Sequence, residues 1–135
     1  MNNTRFATTI HILVLLTKFP EEWLSSEWIA SSIDINPVIV RKELIYLQKA
    51  GIVSSRKGKE GGFKLDKNPE KIDMASIYLM IRSTEVLGKK NNHPSPKCPI
   101  GKKINEKLSH LYTEVESLVI ASLKDKSLKN FSETF

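Results

Sequence analysis

The 135-residue sequence contains very little cysteine and no long hydrophobic segment. Cys98 is the only cysteine, which excludes an intrachain disulfide and leaves a thiol suited to a reducing compartment. The longest apolar run, Ile10 to Leu16, is too short to cross a bilayer and contains His11. No secretory signal is visible either, so the sequence predicts a protein of the cytoplasm with no membrane contact.

Motifs of catalysis are also absent. The glycine-rich stretch KGKEGG lacks the spacing and the following serine or threonine of a Walker phosphate-binding loop. The sequence shows no Ser-His-Asp order with supporting motifs, no cysteine-rich metal spacing and no close pair of carboxylates in a recognisable context. We therefore expect no enzyme, and we assign no catalytic residue, metal ligand or cofactor.

Positive charge is concentrated in one part of the chain. The formal net charge is +6. Residues 1–35 carry two basic and four acidic side chains, whereas residues 36–66 carry seven basic and three acidic ones. A basic surface attracts polyanions, although a run of charges is more often only the solvated face of a helix. The charge therefore favours a polyanionic partner only where a matching structural pattern accompanies it.

A helix-turn-helix pattern occupies the start of this basic region. Asn36 can accept a hydrogen bond from the free N–H groups of a following helix, and Pro37 suits the first helical position. One face of that helix is apolar at spacings of four and three residues: Val40, Leu44 and Leu47. Ser26 is predicted to cap a shorter helix that ends just before Asp34. Two helices so close together, the second capped and basic, are typical of a helix-turn-helix.

A longer helix is predicted ahead of this pair. Thr4 is its expected N-cap, and its apolar positions continue to about Lys18. The apolar surface is wide enough to lie between two layers, which predicts a scaffold helix. His11 interrupts this surface, and we expect it to be a satisfied core or boundary residue rather than a ligand.

Two short strands are predicted after the helix-turn-helix. Gly51 can end the preceding helix in a left-handed conformation. Ile52 to Arg56 has the length and composition of a strand, and Phe63 to Leu65 can pair with it across the turn from Lys57 to Gly62. A hairpin in this position, with a basic and glycine-rich turn, is the wing of a winged helix.

Three stretches of the sequence resemble one known family. They are NPVIVRKELIYLQKAGIVSSRKGKEGGFKL, KIDMASIYLMIR and PSPKCPIG. Their order resembles that of the Rrf2 family of bacterial winged-helix transcription regulators, and within it the YwnA-like subgroup. Members of the subgroup carry NPxCPxG ahead of the last helix, and Ser95 departs from the usual asparagine. The resemblance implies a homodimer with two winged helix-turn-helix heads that bind double-stranded DNA.

The predicted DNA-binding residues lie on the second helix of the pair and on the wing. They are Asn36, Val38, Ile39, Arg41, Lys42, Arg56, Lys57, Lys59 and Gly61. The helix is expected to enter the major groove by its N-terminal end, while the wing cations contact the backbone or the adjacent minor groove. Val38 and Ile39 either contact thymine methyl groups or pack against the first helix. Arg41 is the stronger candidate for base contact.

A heptad-like stripe predicts a dimerisation helix near the C-terminus. Its positions recur at spacings of four and three: Ile104, Leu108, Leu111, Val115 and Leu118. The alternative is that the stripe packs only on its own domain, but a helix of roughly twenty residues would project beyond a head of this size. The tail, Lys124 to Phe135, is expected to be no more than a frayed helix end.

Cys98 is the candidate redox sensor, because adjacent lysines and a helix N-terminus both favour thiolate. The alternative is a small capping or packing residue. Family members that bind an iron-sulfur cluster carry three cysteines here at intervals of roughly six residues, where this chain has Asn92 and Ile104 beside Cys98. A cluster is therefore not expected. A metal site that joins Cys98 to His93 and His110 across a dimer is a remote alternative.

These patterns together predict a mainly α-helical fold with a small β wing. We expect a winged helix-turn-helix domain at 1–84, a linking loop at 85–98, and a dimerisation helix with its tail at 99–135. The predicted function is transcription regulation by a repressor that binds a palindromic operator and is released by oxidation or modification of Cys98. The alternative is a winged-helix interaction module, or a thiol-based enzyme, that does not read DNA.

Overall fold

The computed structural model describes residues 3–135, and most of them are helical. The elements in chain order are α1 (Arg5–Lys18), α2 (Ser26–Ile33), α3 (Pro37–Lys49), β1 (Val53–Arg56), β2 (Gly62–Leu65), a 3₁₀ turn (Pro69–Lys71), α4 (Met74–Ile81), α5 (Pro99–Lys124) and α6 (Leu128–Ser132). The predicted fold class, a mainly helical winged helix-turn-helix with a long C-terminal helix, is confirmed. Within the described residues, no helix is both long enough and apolar enough to span a membrane.

The hydrophobic core lies around α1, which contacts α2, α3, α4, β2 and α6. Its largest fully buried side chains include Ile12, Leu13, Leu16, Ile29, Val40, Leu44, Leu47 and Ile77. Burial of each such side chain contributes about 2 kcal/mol. The apolar face predicted for α3 is therefore confirmed, and α1 lies between layers as expected. His11 lies at the boundary of this core and shares a hydrogen bond of 3.0 Å with Ser32.

The helix caps agree with the sequence pattern at two positions and differ at a third. Asn36 caps α3 as predicted, since its side chain accepts a hydrogen bond of 2.9 Å from the backbone N–H two residues on. Thr4 precedes α1 as predicted, but its side chain makes no capping hydrogen bond. The prediction of Ser26 as the cap of α2 is wrong. Ser25 is extended and accepts from the Trp28 N–H at 3.1 Å, so Ser26 is already helical.

The wing is an antiparallel hairpin whose register begins with Val53 opposite Leu65. Strand β1 begins one residue later, and β2 one residue earlier, than the sequence predicted. The segment before α2 also pairs with β2 of the wing, because Leu24 and Phe63 exchange two backbone hydrogen bonds of 3.0 and 2.8 Å. The wing is thus attached to the chain between α1 and α2 as well as to the end of α3.

Helix α5 extends beyond both ends of the predicted apolar stripe from Ile104 to Leu118. It begins at Pro99 and contains 26 residues, which corresponds to about 39 Å at the usual rise per residue. Residues 85–97 before it contain neither helix nor strand, as the glycine and proline content predicted. Helix α5 packs against α4 of the same chain.

The prediction of a frayed tail is wrong. The tail turns back after α5 and forms α6, which packs against α1. The Leu128 N–H donates to the Ile72 carbonyl at 2.8 Å, and the Met74 N–H donates to the Lys126 carbonyl at 2.9 Å. Leu128 is fully buried. The tail has too few apolar residues to show a periodic pattern, and its packing surface is formed by distant parts of the chain.

Candidate nucleic-acid interface

The N-terminal end of α3 projects apolar side chains into solvent. Val38 is 60% exposed and Ile39 is 48% exposed, so neither packs into the core against α1. Lys42 is exposed on the same part of the helix. The free N–H groups of the first turn add partial positive charge. This tip therefore combines apolar contact surface with positive charge, which suits base methyl groups and phosphates.

Arg41 is held beside this tip by a neighbouring carboxylate. Its Nη1 donates to Glu27 Oε1 at 2.9 Å and to Ser26 Oγ at 3.2 Å. The pKa of Glu27 lies below its usual value, chiefly because its own backbone N–H hydrogen bonds to the carboxylate, and also because of Ser26 and Arg41. A guanidinium group has five N–H donors, so Arg41 keeps free donors while the ion pair restricts its direction.

Ile45 and Gln48 are two exposed residues of α3 that were not among the predicted site residues. Ile45 lies about one turn after Arg41 and is 51% exposed. Gln48 Nε2 donates to Ser55 Oγ at 3.0 Å, which links α3 directly to β1. Neither residue has a local signal, because the role of Gln48 depends on a strand that only the folded chain brings close.

Trp23 orients two cations of the wing. The Arg56 guanidinium lies 5.8 Å, and the Lys64 ammonium 4.9 Å, from the centre of the Trp23 ring. Attraction between a cation and an aromatic face restricts both long side chains without neutralising them. Trp23 and Lys64 were not among the predicted site residues, because Trp23 lies in an irregular segment that gave no periodic signal.

A groove of about 730 Å³ separates the wing from the start of α2. Arg56 and Lys59 line the wing side, and Trp28 lines the α2 side. The start of α2 also carries Glu27, which pairs with Arg41. Of the predicted residues, the structure therefore brings Arg56, Lys59 and Gly61 of the wing to one groove beside α2, and the pair with Glu27 places Arg41 of α3 at the start of the same helix.

Gly61 and Gly62 have structural reasons for being glycine. A Cβ atom on Gly61 would overlap the carbonyl oxygen of Arg56, and one on Gly62 would lie 2.5 Å from the carbonyl oxygen of Leu24. The Gly61 N–H donates to the Gly58 carbonyl at 3.1 Å and closes the wing turn. Gly61 is thus required for the shape of the turn, whether or not the turn approaches a ligand.

We expect Gly61→Ala to destabilise the protein by about 1–3 kcal/mol, because the added methyl group displaces backbone in a tight turn. Chemical denaturation followed by circular dichroism measures the free energy of unfolding. Glu60→Ala, at the exposed neighbouring position, is the matched control and should stay within about 0.5 kcal/mol of the wild type. Equal stability of both variants would show that the turn adapts without strain.

Cys98 is exposed and directly precedes α5. Its side chain makes no capping hydrogen bond. The backbone N–H groups of Gly101 and Ile100 lie close to the sulfur and lower the pKa of the Cys98 thiol. The cause is the N-terminal end of the helix, which was one of the two features that suggested thiolate in the sequence.

We expect alkylation of Cys98 by iodoacetamide to reach half its maximal rate at a pH below about 8.5, the value for an ordinary cysteine. The lowered pKa means that the thiolate persists as the pH falls, so the rate profile shifts to lower pH. The same chain unfolded in urea is the control, since it has the same single thiol without the helix. Coincident profiles in the folded and unfolded chains would contradict the effect of the helix.

Some residues of the predicted dimerisation stripe are half-buried against their own chain, and others are exposed to solvent. Three of its members are half-buried: Ile104, Leu108 and Val115. Leu111 is 49% exposed and Leu118 is 67% exposed, and Ile100, at 71%, extends the apolar surface toward the start of the helix. The buried positions of α5 are Tyr112 and Glu116. Helix α5 therefore packs on its own chain through one face and leaves part of the stripe exposed.

Comparison with known proteins agrees with these features. The profile of the Rrf2 family, described as an iron-dependent transcriptional regulator, matches residues 2–134. A candidate HTH-type transcriptional regulator, YwnA of Bacillus subtilis, is 40% identical over 130 residues, which is 96% of each chain. A crystal structure of a candidate DNA-binding protein is 38% identical, covers 94% of this chain and 97% of its own, and has a TM-score of 0.74. CymR, the global cysteine regulator of Bacillus subtilis, has the same fold, with 18% identity, coverage of 100% and 98%, and a TM-score of 0.74.

The donor set of this chain does not fit the iron that the family description implies. Cys98 is the only cysteine, and Asn92 and Ile104 occupy the positions six residues to either side. Across residues 3–135, no three His, Cys, Asp or Glu side chains lie close enough together to hold a metal ion. An iron centre with ordinary cysteine ligation therefore lacks its ligands.

Proposed function

Because the chain belongs to the Rrf2 family of transcriptional regulators, we propose that it is a homodimeric repressor that binds a palindromic DNA operator in the cytoplasm. Regulation of transcription, and not catalysis, is the activity of this family, so the thiol-enzyme alternative is set aside. The observation that carries the proposal is the tip of α3, where exposed Val38 and Ile39 lie beside Arg41. Apolar and guanidinium groups together match the edges of thymine and guanine.

The tip of α3 enters the major groove. Val38 and Ile39 contact thymine methyl groups, and Arg41 donates to the acceptors of a guanine. Phosphates and the adjacent minor groove are contacted by the remaining members of the surface: Asn36, Lys42, Arg56, Lys57 and Lys59. Gly61 permits the turn of the wing to come close to the backbone. The ion pair with Glu27 supports this role, since it keeps Arg41 at the edge of the tip.

Two copies associate through α5. Leu111 and Leu118 are separated by one heptad, and both are exposed in the single chain. The same apolar residues of a second copy cover them in a twofold arrangement. Two heads then face two half-sites, roughly 34–36 Å apart along the DNA, which explains why the operator is palindromic. A dimer seated on a promoter represses by excluding the polymerase.

Oxidation or modification of Cys98 releases the repressor. The thiol is exposed, its pKa is lowered by the end of α5, and it lies between the linking loop and the helix that joins the two copies. A larger or charged group on the sulfur alters the start of α5. The heads then change their separation and no longer match both half-sites.

We expect the full chain to bind DNA from upstream of its own gene with an affinity that falls steeply as salt rises. Peroxide should weaken this binding by about tenfold, within the usual range of coupling between two sites, and should leave Cys98→Ser bound. Fluorescence anisotropy with labelled DNA measures both effects. Salt-independent or absent binding would contradict DNA recognition, whereas an equal response of both proteins to peroxide would contradict only the role of Cys98.

A further inference from the structure

An ion pair between the buried carboxylate of Glu43 and the partly exposed Arg5 holds the inner side of α3. Glu43 is 6% exposed, and Arg5 Nε lies 3.0 Å from both of its carboxylate oxygens. Nη1 of the same guanidinium donates to the Ile81 carbonyl at 3.3 Å. Tyr46 extends the connection, because its hydroxyl donates to the Met80 carbonyl at 2.9 Å. Two side chains of α3, the recognition helix of the proposed function, are thus tied to the last turn of α4: Tyr46 directly and Glu43 through Arg5.

A second buried carboxylate holds α5 to the same turn of α4. Glu116 is 5% exposed. It accepts hydrogen bonds from the Tyr78 hydroxyl at 3.0 Å, from the Arg82 guanidinium, and from the Val86 N–H at 3.0 Å. Burial raises the pKa of the Tyr78 hydroxyl, and the Glu116 carboxylate raises it further, so this donor stays protonated. One side chain of α5 therefore binds α4, the residue that follows α4, and the linking loop.

The two clusters meet at three consecutive residues. The Met80 carbonyl accepts from Tyr46 of α3, and the Ile81 carbonyl accepts from Arg5, the residue of α1 that also pairs with Glu43 of α3. Arg82 donates to Glu116 of α5. A hydrogen-bonded ion pair defines a direction, whereas apolar side chains alone can slide past one another. Loss of either arginine leaves a buried carboxylate without its cation, so the clusters resist rearrangement.

From this arrangement we infer that Glu116 is a positioning residue that sets the angle between the recognition helix and α5, and so the half-site spacing that the dimer accepts. The inference rests on the proposed function, since spacing has meaning only for a dimer on paired half-sites. In a head of this size, α3 lies about 20 Å from the axis about which the head would turn relative to α5. A rotation of about 10° at that radius moves α3 by roughly 3.5 Å. That displacement equals about one base pair of DNA.

The test separates spacing preference from the affinity of one head. Binding of the full chain is titrated against its palindromic operator, against versions with the half-sites moved by one or two base pairs, and against a single half-site. The wild type should prefer its own spacing by about tenfold. Glu116→Gln, which removes the charge but keeps the shape, should bind all spacings within about twofold, with single-site affinity unchanged. A role in stability alone would not produce this difference.

Glu70→Gln is the matched control, because it breaks the surface pair between Glu70 and Lys129 outside the path from α3 to α5. It should keep the wild-type spacing preference. If Glu116→Gln unfolds, the double variant Arg82→Gln with Glu116→Gln leaves no unpaired buried charge and is measured in its place.

Two outcomes overturn the inference while leaving the proposed function intact. One is a folded variant at Glu116 that keeps the wild-type spacing preference, and the other is equal weakening on paired and single half-sites. A wild-type chain that binds a single half-site as tightly as the palindrome contradicts the proposed dimer itself.

Discussion

Replacement of both Arg41 and Lys59 by alanine should weaken specific DNA binding by at least about 100-fold. The proposed dimer presents each residue twice, and a guanidinium that contacts a guanine contributes about 1–3 kcal/mol on its own. Loss of two lysine contacts to phosphate should also reduce the slope of log affinity against log salt by about 2. Anisotropy titrations at four or five salt concentrations measure affinity and slope together.

Arg41 and Lys59 are suitable targets because both are surface residues whose removal leaves the core intact. Arg41 is paired only at the surface, with Glu27 and Ser26, and Lys59 lies in the turn of the wing. The control variant, Lys103→Ala with Lys107→Ala, removes the same charge from exposed positions of α5. If the two double variants lose affinity to the same small extent, the α3 tip and the wing do not form the DNA-binding surface.

Replacement of Leu111 and Leu118 by glutamate should convert the proposed dimer into a folded monomer. Both side chains are exposed in the single chain, so the charges should leave its melting temperature close to that of the wild type. In the dimer the same charges would be buried against each other without partners. Affinity for a palindromic operator should fall by about 10²–10⁴-fold, because the second head no longer benefits from attachment to the first.

Light scattering after size-exclusion chromatography gives the mass, and an operator titration gives the affinity. Thr113→Glu with Ser117→Glu is the matched control, since both residues are exposed on α5 but lie away from the Leu111 and Leu118 stripe. This control should remain dimeric. A dimeric Leu111→Glu, Leu118→Glu variant would show that the two copies associate through another surface.

Helix α3 could be predicted because its signals are local. Asn36 and Pro37 define its start, Gly51 follows its end with a φ of +77°, and the spacing of Val40 to Leu47 identifies its buried face. Each signal acts within one or two turns and needs no distant partner. The cap of α2 was misplaced by one residue because two adjacent serines can both serve as caps, and the spacing alone does not choose between them.

Residues whose roles depend on distant partners could not be predicted. Trp23 matters because two strands place cations over its ring, and α6 forms because Ile72 and α1 offer it a surface. The buried carboxylates carried a weak signal that was overlooked. Glu43 lies three residues after Val40, so it falls on the buried face of α3 rather than on the solvated one.

Selection of genomic DNA fragments by the full-length protein tests the central claim most directly. We expect enrichment of fragments that contain an inverted repeat, with half-site centres separated by roughly 10 base pairs or a multiple of that distance. Enrichment should be lost for the Arg41→Ala, Lys59→Ala variant and should collapse to single half-sites for the Leu111→Glu, Leu118→Glu variant. Recovery of fragments with no shared motif, at the same yield for wild type and both variants, would contradict it.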